Sequence, residues 1–296
     1  MYHFLENYYK AHPWMERLYK ESVIGKIYLF LKAIKDFFKF KSRALIEYIR
    51  TIPRSLGKVD DRFLPLKQMK GKYAGKRCFI VCTGPSLTIE DLELLKNEYV
   101  FGMNSTSMII DKTSWRPDFY GIQDSAVFER LKDAIVRPEN GRVFAPLAFK
   151  NRYNTPDEWV YFPTCSSYNL FECYRLKKYF ARFSSDSYLR VYNGFSISYS
   201  LVQIAYYLGF DEIYLLGADC SYSTSGKNHF AEHGHVPDNF DISTLRLITI
   251  YGYLKKYSEK YGFKVYNATR GGMLEVFDRV KLENILAHQE KNKIRN

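Results

Sequence analysis

The sequence predicts an α/β fold in which a mostly parallel sheet is flanked by helices. Between residues 76 and 279, short apolar runs typical of buried strands alternate with segments of helical periodicity. This alternation indicates βαβ units and therefore a parallel sheet. The chain has 296 residues, 46% of them hydrophobic, which is enough apolar material for one sizeable core.

The predicted elements follow one another in a regular order. Apolar runs ending in small or polar residues are the predicted strands: 77–82, 99–104, 118–122, 142–146, 159–162, 212–217 and 264–267. Stretches with helical spacing or good helix formers are the predicted helices: 89–97, 196–208 and 243–261.

The first 60 residues differ from the rest of the chain in charge. They contain twelve basic and six acidic residues, so they hold +6 of the formal net charge of +12. Between residues 22 and 52, apolar residues recur near helical spacing, and basic residues fill much of the other face. We interpret residues 1–60 as a basic amphipathic helical arm, residues 61–75 as a linker and residues 76–296 as the α/β domain.

Two interpretations of this arm stay open. A basic amphipathic helix can lie in the headgroup layer of an anionic membrane, where each basic residue contributes on the order of 1 kcal/mol. The alternative is an arm that packs on its own domain or on another subunit of a homo-oligomer. No known nucleic-acid-binding module is visible, so nucleic acid is not an expected partner.

The cysteines and the first residues predict a cytoplasmic protein. Five scattered cysteines show no CxxC pair and no Cys/His metal spacing, which favours buried thiols in a reducing compartment. The chain has no run of 18 apolar residues, and residues 1–20 lack the apolar region of a signal peptide.

Small or polar residues stand at the ends of five predicted strands. In open α/β sheets ligands bind at the carboxyl ends of the strands, so these residues are the candidate ligand-binding set. They are Thr83, Gly84, Pro85 and Ser86, then Asn104, Gln123 and Asp124, then Gly217 and Asp219, and finally Thr269 and Gly271.

The turn at residues 83–86 is the sharpest of these signals. Gly84 allows the backbone to approach a ligand closely, and Pro85 restricts φ. Ser86 is predicted to cap the next helix, whose free N–H groups would attract phosphate. The turn is neither GxGxxG nor a P-loop, which disfavours NAD binding and P-loop ATP hydrolysis.

A polar stretch after the strand at 212–217 holds three of the six histidines, within residues 229–235. Histidine titrates near neutral pH, so a histidine here suits general-base work on an acceptor hydroxyl. Two alternatives stay open: His229, His233 and Glu232 as metal ligands, or a solvated loop without a function.

Two further turns are candidates for ligand contact. Asn193 and Gly194 precede the helix at 196–208, and Arg190 adds positive charge to a helix start that favours anions. A glycine pair at Gly271 and Gly272 follows the last strand, where the backbone can come close to a ligand. Each could equally be a simple turn.

These blocks, in this order, resemble the hydroxymethylpterin diphosphokinase-like family, which also includes the motility-accessory-factor glycosyltransferases of bacteria. They are also similar to the bacterial CMP-sialic-acid-dependent sialyltransferases that have a single Rossmann-like domain. The resemblance covers roughly residues 76–279. It is carried by residues 80–87, Asn104, Asn193 with Gly194, residues 208–219 and residues 267–272.

The sialyltransferase resemblance implies roles for single residues. Gly84, Pro85 and Ser86 would lie along the donor nucleotide, and Asn104 would form a hydrogen bond with it. Those enzymes use the second histidine of a His-x-x-x-His pair as the catalytic base.

In this chain the pair is His229 and His233, so the base would be His233. Arg190 would lie beside the donor sugar or phosphate, together with the Asn193–Gly194 turn. Tyr222 is the nearest match to a tyrosine that steadies the leaving phosphate.

The implied reaction is transfer of a sugar, such as a CMP-activated nonulosonic acid, to a hydroxyl of a lipid-linked or surface glycan. The resemblance implies a nucleotide-sugar co-substrate and no metal, and with the arm it predicts a peripheral location at the inner face of the cytoplasmic membrane. One alternative is a diphosphokinase that transfers diphosphate from ATP to a pterin-like alcohol, with Mg²⁺ held by Asp124 and Asp219. Another is a non-enzymatic nucleotide-binding scaffold.

Overall fold

The computed structural model describes residues 21–221, 230–231 and 240–293. These residues form two compact units, one made of residues 21–49 and 166–178 and the other of the remaining described residues. Three candidate catalytic residues, Tyr222, His229 and His233, lie outside the described residues, as do residues 1–20 of the arm.

Nine strands lie in the larger unit, as far as the described residues show. They are β1 Arg77–Val81, β2 Tyr99–Met103, β3 Phe119–Gly121, β4 Arg142–Pro146, β5 Val160–Phe162, β6 Thr164–Cys165, β7 Val191–Tyr192, β8 Glu212–Leu216 and β9 Lys264–Asn267. Seven of them form one sheet in the order β5-β4-β3-β2-β1-β8-β9, and every pair is parallel. The short strands β6 and β7 form a separate parallel pair.

The described residues also form ten α-helices and three 3₁₀ helices. The α-helices are α1 Val23–Ile49, α2 Ile52–Ser55, α3 Leu64–Gln68, α4 Ile89–Glu93, α5 Ser125–Ile135, α6 Leu147–Tyr153, α7 Leu170–Leu176, α8 Ile197–Leu208, α9 Phe240–Tyr261 and α10 Leu282–Lys293. The 3₁₀ helices are Asp61–Phe63, Asn104–Lys112 and Pro138–Asn140. None of the helices in this described part is long and apolar enough to cross a bilayer.

The predicted α/β fold with a parallel sheet and an N-terminal helix is confirmed. All seven predicted strands are present within one or two residues of their predicted ends. The helix predicted at 89–97 is shorter, because after Glu93 the chain continues as turns in which, for example, Leu95 N bonds to Leu92 O. Helices α3, α5, α6, α7 and α10 were not predicted.

The sheet is buried on both faces, which explains its continuous apolar strands. Along β1, Cys78 and Ile80 pack into the cluster that includes α8 and α9, whereas Phe79 and Val81 pack into the cluster with α4 and α10. Gly121 leaves room for Leu201, because a Cβ at this glycine would lie 2.7 Å from a methyl carbon of that leucine. Thus α8 lies directly on the strands that end at the candidate site.

The segment interpreted as a linker, residues 61–75, contains core residues. Phe63, Leu66 and Met69 are buried, and α3 lies beside β5. Apolar residues three positions apart in a short and otherwise polar stretch are only a weak signal of a buried helix. The sequence therefore did not reveal this packing. The proposed domain boundaries remain predictions.

Candidate functional site

The strand order reverses between β1 and β8. Strands β2 to β5 follow on one side of β1, and β9 follows β8 on the other. In open α/β sheets such a switch point leaves a crevice at the carboxyl edge, where ligands bind. Two of the predicted blocks, the turn at 83–86 and the segment 217–219, follow these two strands.

Hydrogen bonds join these two segments along their length. Cys82 N donates to Leu216 O at 2.7 Å, and Gly84 N donates to Gly217 O at 2.9 Å. The hydroxyl of Ser86 donates to Oδ2 of Asp219 at 2.8 Å. The predicted site residues of the two blocks are therefore in direct contact.

Gly84 is required by this contact. A Cβ at this position would lie 1.9 Å from Asp219 Oδ2 and 2.5 Å from Gly217 O, so no larger residue fits. The sequence predicted that Gly84 makes room for a ligand, but the space beside its Cα is filled by Asp219. Residues 83–86 are nevertheless half-exposed, so the turn remains open to a ligand along its outer side.

Ser86 does not cap α4, and this prediction is wrong. The cap is Thr88, whose Oγ1 accepts from Asp91 N while the Asp91 carboxylate accepts from Thr88 N. The helix has only five residues, and Glu90 and Asp91 lie in its first turn. These carboxylates offset the positive charge of the helix start and so weaken its attraction for an anion, and the phosphate contact predicted there stays a prediction.

Asp219 is buried beside the turn at 83–86. Burial raises the pKa of its carboxyl group, while the hydrogen bond from Ser86 and the nearby Arg279 act in the opposite direction. Met273 N donates to the Asp219 carbonyl at 2.7 Å, and a Cβ at Gly272 would lie 2.6 Å from that same oxygen. The glycine pair therefore packs against Asp219 through Gly272, whereas a Cβ at Gly271 would meet nothing within 4 Å.

Thr269 braces the loop after β8. Its Oγ1 accepts from Ala218 N at 2.9 Å, and its own N donates to Asn267 Oδ1 at 3.0 Å. The side chain is buried in this contact. A contact of Thr269 with the nucleotide-sugar donor stays a prediction. Its side chain does hold the loop after β8 in position.

Gln123 and Asn193 are brought together from different strands. Gln123 Nε2 donates to Asn193 Oδ1 at 3.4 Å, and Ser200 Oγ donates to Gln123 Oε1 at 2.7 Å. The Asn193 amide oxygen also accepts from Phe195 N at 2.7 Å. A Cβ at Gly194 would lie 2.4 Å from the ring of Tyr199, so the turn before α8 is as tightly packed as the turn at 83–86.

Asn104 and Asp124 follow β2 and β3. Asn104 has a positive φ of 46°, and its side-chain Oδ1 is buried with no hydrogen-bond partner in the described part of the protein. A buried amide oxygen without a partner is costly, and a ligand donor would satisfy it. Asp124 is instead the N-cap of α5, since its Oδ1 accepts from Ala126 N and Val127 N.

Arg190 contacts the segment between α1 and α2. Its Nη2 donates to Thr51 Oγ1 at 2.8 Å, and its Nη1 lies 3.4 Å from the Tyr192 hydroxyl. A contact of Arg190 with the sugar or phosphate of the nucleotide-sugar donor stays a prediction.

Two residues of α9 were missed by the sequence analysis. The Arg246 guanidinium lies 4.9 Å from the ring centroid of Phe195, and its buried Nε has no hydrogen-bond partner among the described residues. Tyr251, one and a half turns later, shares a 2.5 Å hydrogen bond with Ser198 at the start of α8. A usable signal existed, because no acidic residue stands three or four positions from Arg246 to pair with it.

The family model described as 6-hydroxymethylpterin diphosphokinase MptE-like matches residues 54–225, more than half of the chain. The chain belongs to this family. The resemblance inferred from the order of the sequence blocks is thereby confirmed.

Two solved structures are similar to this chain. The MAf glycosyltransferase from Magnetospirillum magneticum AMB-1 shares 18% identity with a TM-score of 0.44, and the match covers 80% of this chain and 41% of that one. The sialyltransferase CstII from Campylobacter jejuni, in complex with the substrate analogue cytidine-5'-monophosphate, shares 16% identity with a TM-score of 0.41. That match covers 70% of this chain and 85% of the sialyltransferase. This chain thus spans less than half of the first structure, and no curated protein matches its sequence.

Proposed function

We propose that this protein is a glycosyltransferase that moves a sugar, in particular a CMP-activated nonulosonic acid, to an acceptor hydroxyl. The observation that carries the proposal is the convergence of the predicted blocks on one edge of the sheet. The segments after β1 and β8 are hydrogen-bonded to each other, and the segments after β2 and β3 end at the same edge because the strands are parallel.

The groups along this edge suit a nucleotide-sugar. The unpartnered amide oxygen of Asn104 is available to a donor group of the base or ribose. Gln123 and Asn193 add amides beside the start of α8. The donor phosphate would lie at that helix start, which has no acidic residue in its first turn and has Arg246 nearby.

The reaction we propose needs one base and stabilisation of one leaving group. His233 takes the proton from the acceptor hydroxyl as the acceptor oxygen attacks the anomeric carbon, and the bond from that carbon to the phosphate oxygen breaks to release CMP. Arg190 and Tyr222 stabilise the leaving phosphate, and His229 supports the base. Phe230 supports this placement, because its N donates to Thr83 O at 2.8 Å and it lies three residues before His233 in the chain.

The family description favours a second candidate, a diphosphokinase that transfers diphosphate from ATP to a pterin-like alcohol. That reaction was expected to use Mg²⁺ between Asp124 and Asp219. These residues follow β3 and β8, which are three strand positions apart, or about 14 Å at the usual strand spacing. Magnesium binds oxygen at about 2.1 Å, and Asp124 is already engaged as a helix cap, so this pair does not form one magnesium site.

A thermal-shift panel of CMP, CDP, UDP, GDP, ADP and ATP, each with and without Mg²⁺, distinguishes the two candidates. A ligand at 100 times its Kd stabilises the folded state by about 2.7 kcal/mol. We expect stabilisation by CMP or CDP without a need for Mg²⁺. Stabilisation by ATP alone, and only with Mg²⁺, would overturn the glycosyltransferase proposal in favour of the diphosphokinase.

Replacement of the proposed base tests the mechanism. We expect His233→Ala to lower the rate of CMP release from a CMP-linked donor by about 10²–10⁴, with CMP stabilisation intact. His235→Ala, two residues further along the same polar stretch, is the matched control and should keep its activity. A fully active His233→Ala variant rules out this base.

A further inference from the structure

Helix α1 exposes an unusual amount of apolar surface. Of the 24 large apolar side chains that are exposed in the described residues, 12 lie on this one helix, among them Phe30, Leu31 and Phe38. Single exposed apolar residues are ordinary, but a concentration of this kind marks an interaction surface.

The opposite face of α1 is already occupied. Half-buried positions recur every three or four residues, at Leu29, Ala33, Asp36, Phe40, Ala44 and Glu47. This face packs on residues 166–178, with the ring of Phe40 stacked on that of Tyr174. The exposed apolar side chains lie on the other side of the helix, except that the ring of Phe37 also contacts Phe171 of this segment.

All three acidic side chains of α1 and residues 166–178 are engaged within this unit. Asp36 accepts from Arg175 Nε at 2.7 Å, and Glu172 pairs with Lys41. Glu47 accepts four hydrogen bonds, from the backbone N and the hydroxyl of both Ser166 and Ser167.

The basic side chains of the same unit greatly outnumber the acidic ones. The two segments contain nine basic residues against three acidic ones, and only Lys41 and Arg175 pair with a carboxylate in the described residues. Lys32, Lys35, Lys39 and Arg43 follow helical spacing and form a basic line beside the apolar face. The outer side of α1 therefore combines apolar and uncompensated positive groups.

We propose that α1 lies on the surface of an anionic lipid bilayer, with its outer apolar face in the acyl boundary and its basic line among the headgroups. A helix of 27 residues presents about 40 Å of such surface. A second copy of this chain is a poorer occupant, because the same uncompensated positive charges on both copies repel each other, whereas anionic lipids neutralise them. The inference does not depend on the proposed reaction.

Vesicle sedimentation with the full chain tests this. We expect binding to vesicles of phosphatidylglycerol and phosphatidylcholine that is at least tenfold stronger than binding to phosphatidylcholine alone and that weakens at high salt. Equal binding to both kinds of vesicle, or no binding to the anionic ones, overturns the proposal.

Two double variants test which groups carry the binding. Lys35→Gln with Lys39→Gln should weaken binding to anionic vesicles by about 30-fold, since each basic residue near such a surface contributes on the order of 1 kcal/mol. Lys112→Gln with Lys132→Gln makes the same charge change at exposed positions of the other unit and should leave binding unchanged. An equal loss in both pairs would show that only net charge matters, which contradicts a defined docking face.

The apolar face is tested by Phe30→Ser with Phe38→Ser, with helix content checked by circular dichroism. We expect weaker binding to anionic vesicles, and Leu94→Ser, an exposed apolar residue of the other unit, serves as the control. If the wild type is a dimer in sedimentation velocity, binds no vesicles and becomes a monomer in the double variant, the face joins two copies and the lipid proposal is wrong.

Discussion

The loop after β1 and the loop before α8 are similar in sequence but differ in structure. Each places a glycine and a polar residue ahead of a helix, and each glycine has no room for a Cβ. The first loop leads into the five residues of α4, which is capped by Thr88 and has two acidic residues in its first turn. The second leads into the twelve residues of α8, with no acidic residue in its first turn and with Arg246 nearby.

This difference shows that a glycine turn before a helix is insufficient evidence for a phosphate site. The helix must be long enough for its dipole to matter, and the charges around its first turn must not oppose an anion. By these criteria the start of α8 suits an anion better than the start of α4 does. The turn at 83–86 is hydrogen-bonded to the segment after β8 at the switch point.

The largest effect is expected from Gly84→Ala. The added Cβ would clash with Asp219 and with the backbone of Gly217, so we expect a loss of about 3 kcal/mol in the free energy of unfolding. Gly252→Ala in α9 is the matched control, because a Cβ there meets nothing within 4 Å, and we expect a gain of up to about 1 kcal/mol. Urea unfolding of both variants measures the difference. If Gly84→Ala is as stable as the wild type, the two loops are not closely joined.

A smaller effect is expected from Arg246→Gln. If Arg246 binds the donor phosphate, the variant should bind CMP about tenfold more weakly, because a hydrogen bond to a charged group contributes about 1.5–3 kcal/mol. Cytidine, which lacks the phosphate, should bind as before. Isothermal titration calorimetry with both ligands measures this. Arg152→Gln is the control, since Arg152 also stacks on an aromatic ring, that of Tyr153. An equal change for CMP and cytidine would argue against a phosphate contact.

The smallest effect is expected from Asp219→Asn. Burial raises the pKa of Asp219, so the folded state favours the protonated form and the wild type loses stability as the pH rises through that raised pKa. The asparagine side chain carries no charge, so the variant should have a slightly higher melting temperature than the wild type at pH 7. This advantage should shrink as the pH falls towards and below the raised pKa. Thermal melts across this pH range measure it, and a constant difference would contradict the assigned pKa direction.

The fold was largely predictable because its signals are local. The apolar runs of β1 and β8 and the helical spacing of α8 are each contained within a few residues of the chain. The edge at which the site lies also followed from the sequence, since parallel strands bring their carboxyl ends together.

The contacts within the site were less predictable. Ser86 and Thr88 are both hydroxyl residues ahead of α4, and only the position of Asp219, 133 residues away, shows that Ser86 bonds elsewhere. The closeness of Arg246 to Phe195 likewise depends on how α9 packs beside the start of α8.

The sequence by itself determined the seven strands of the main sheet, their parallel arrangement, the helices α1, α8 and α9, the family of the protein and the amphipathic character of its arm. Only the tertiary structure decided which side of α1 is occupied, since Asp36 and Glu47 find their partners more than a hundred residues later in the chain. Only the tertiary structure likewise showed that Gly84 faces Asp219 and that Arg246 lies near the start of α8. The physical reason is that burial periodicity and turn chemistry act between neighbours in the chain, whereas hydrogen bonds and steric limits depend on which distant segments the packed core brings together.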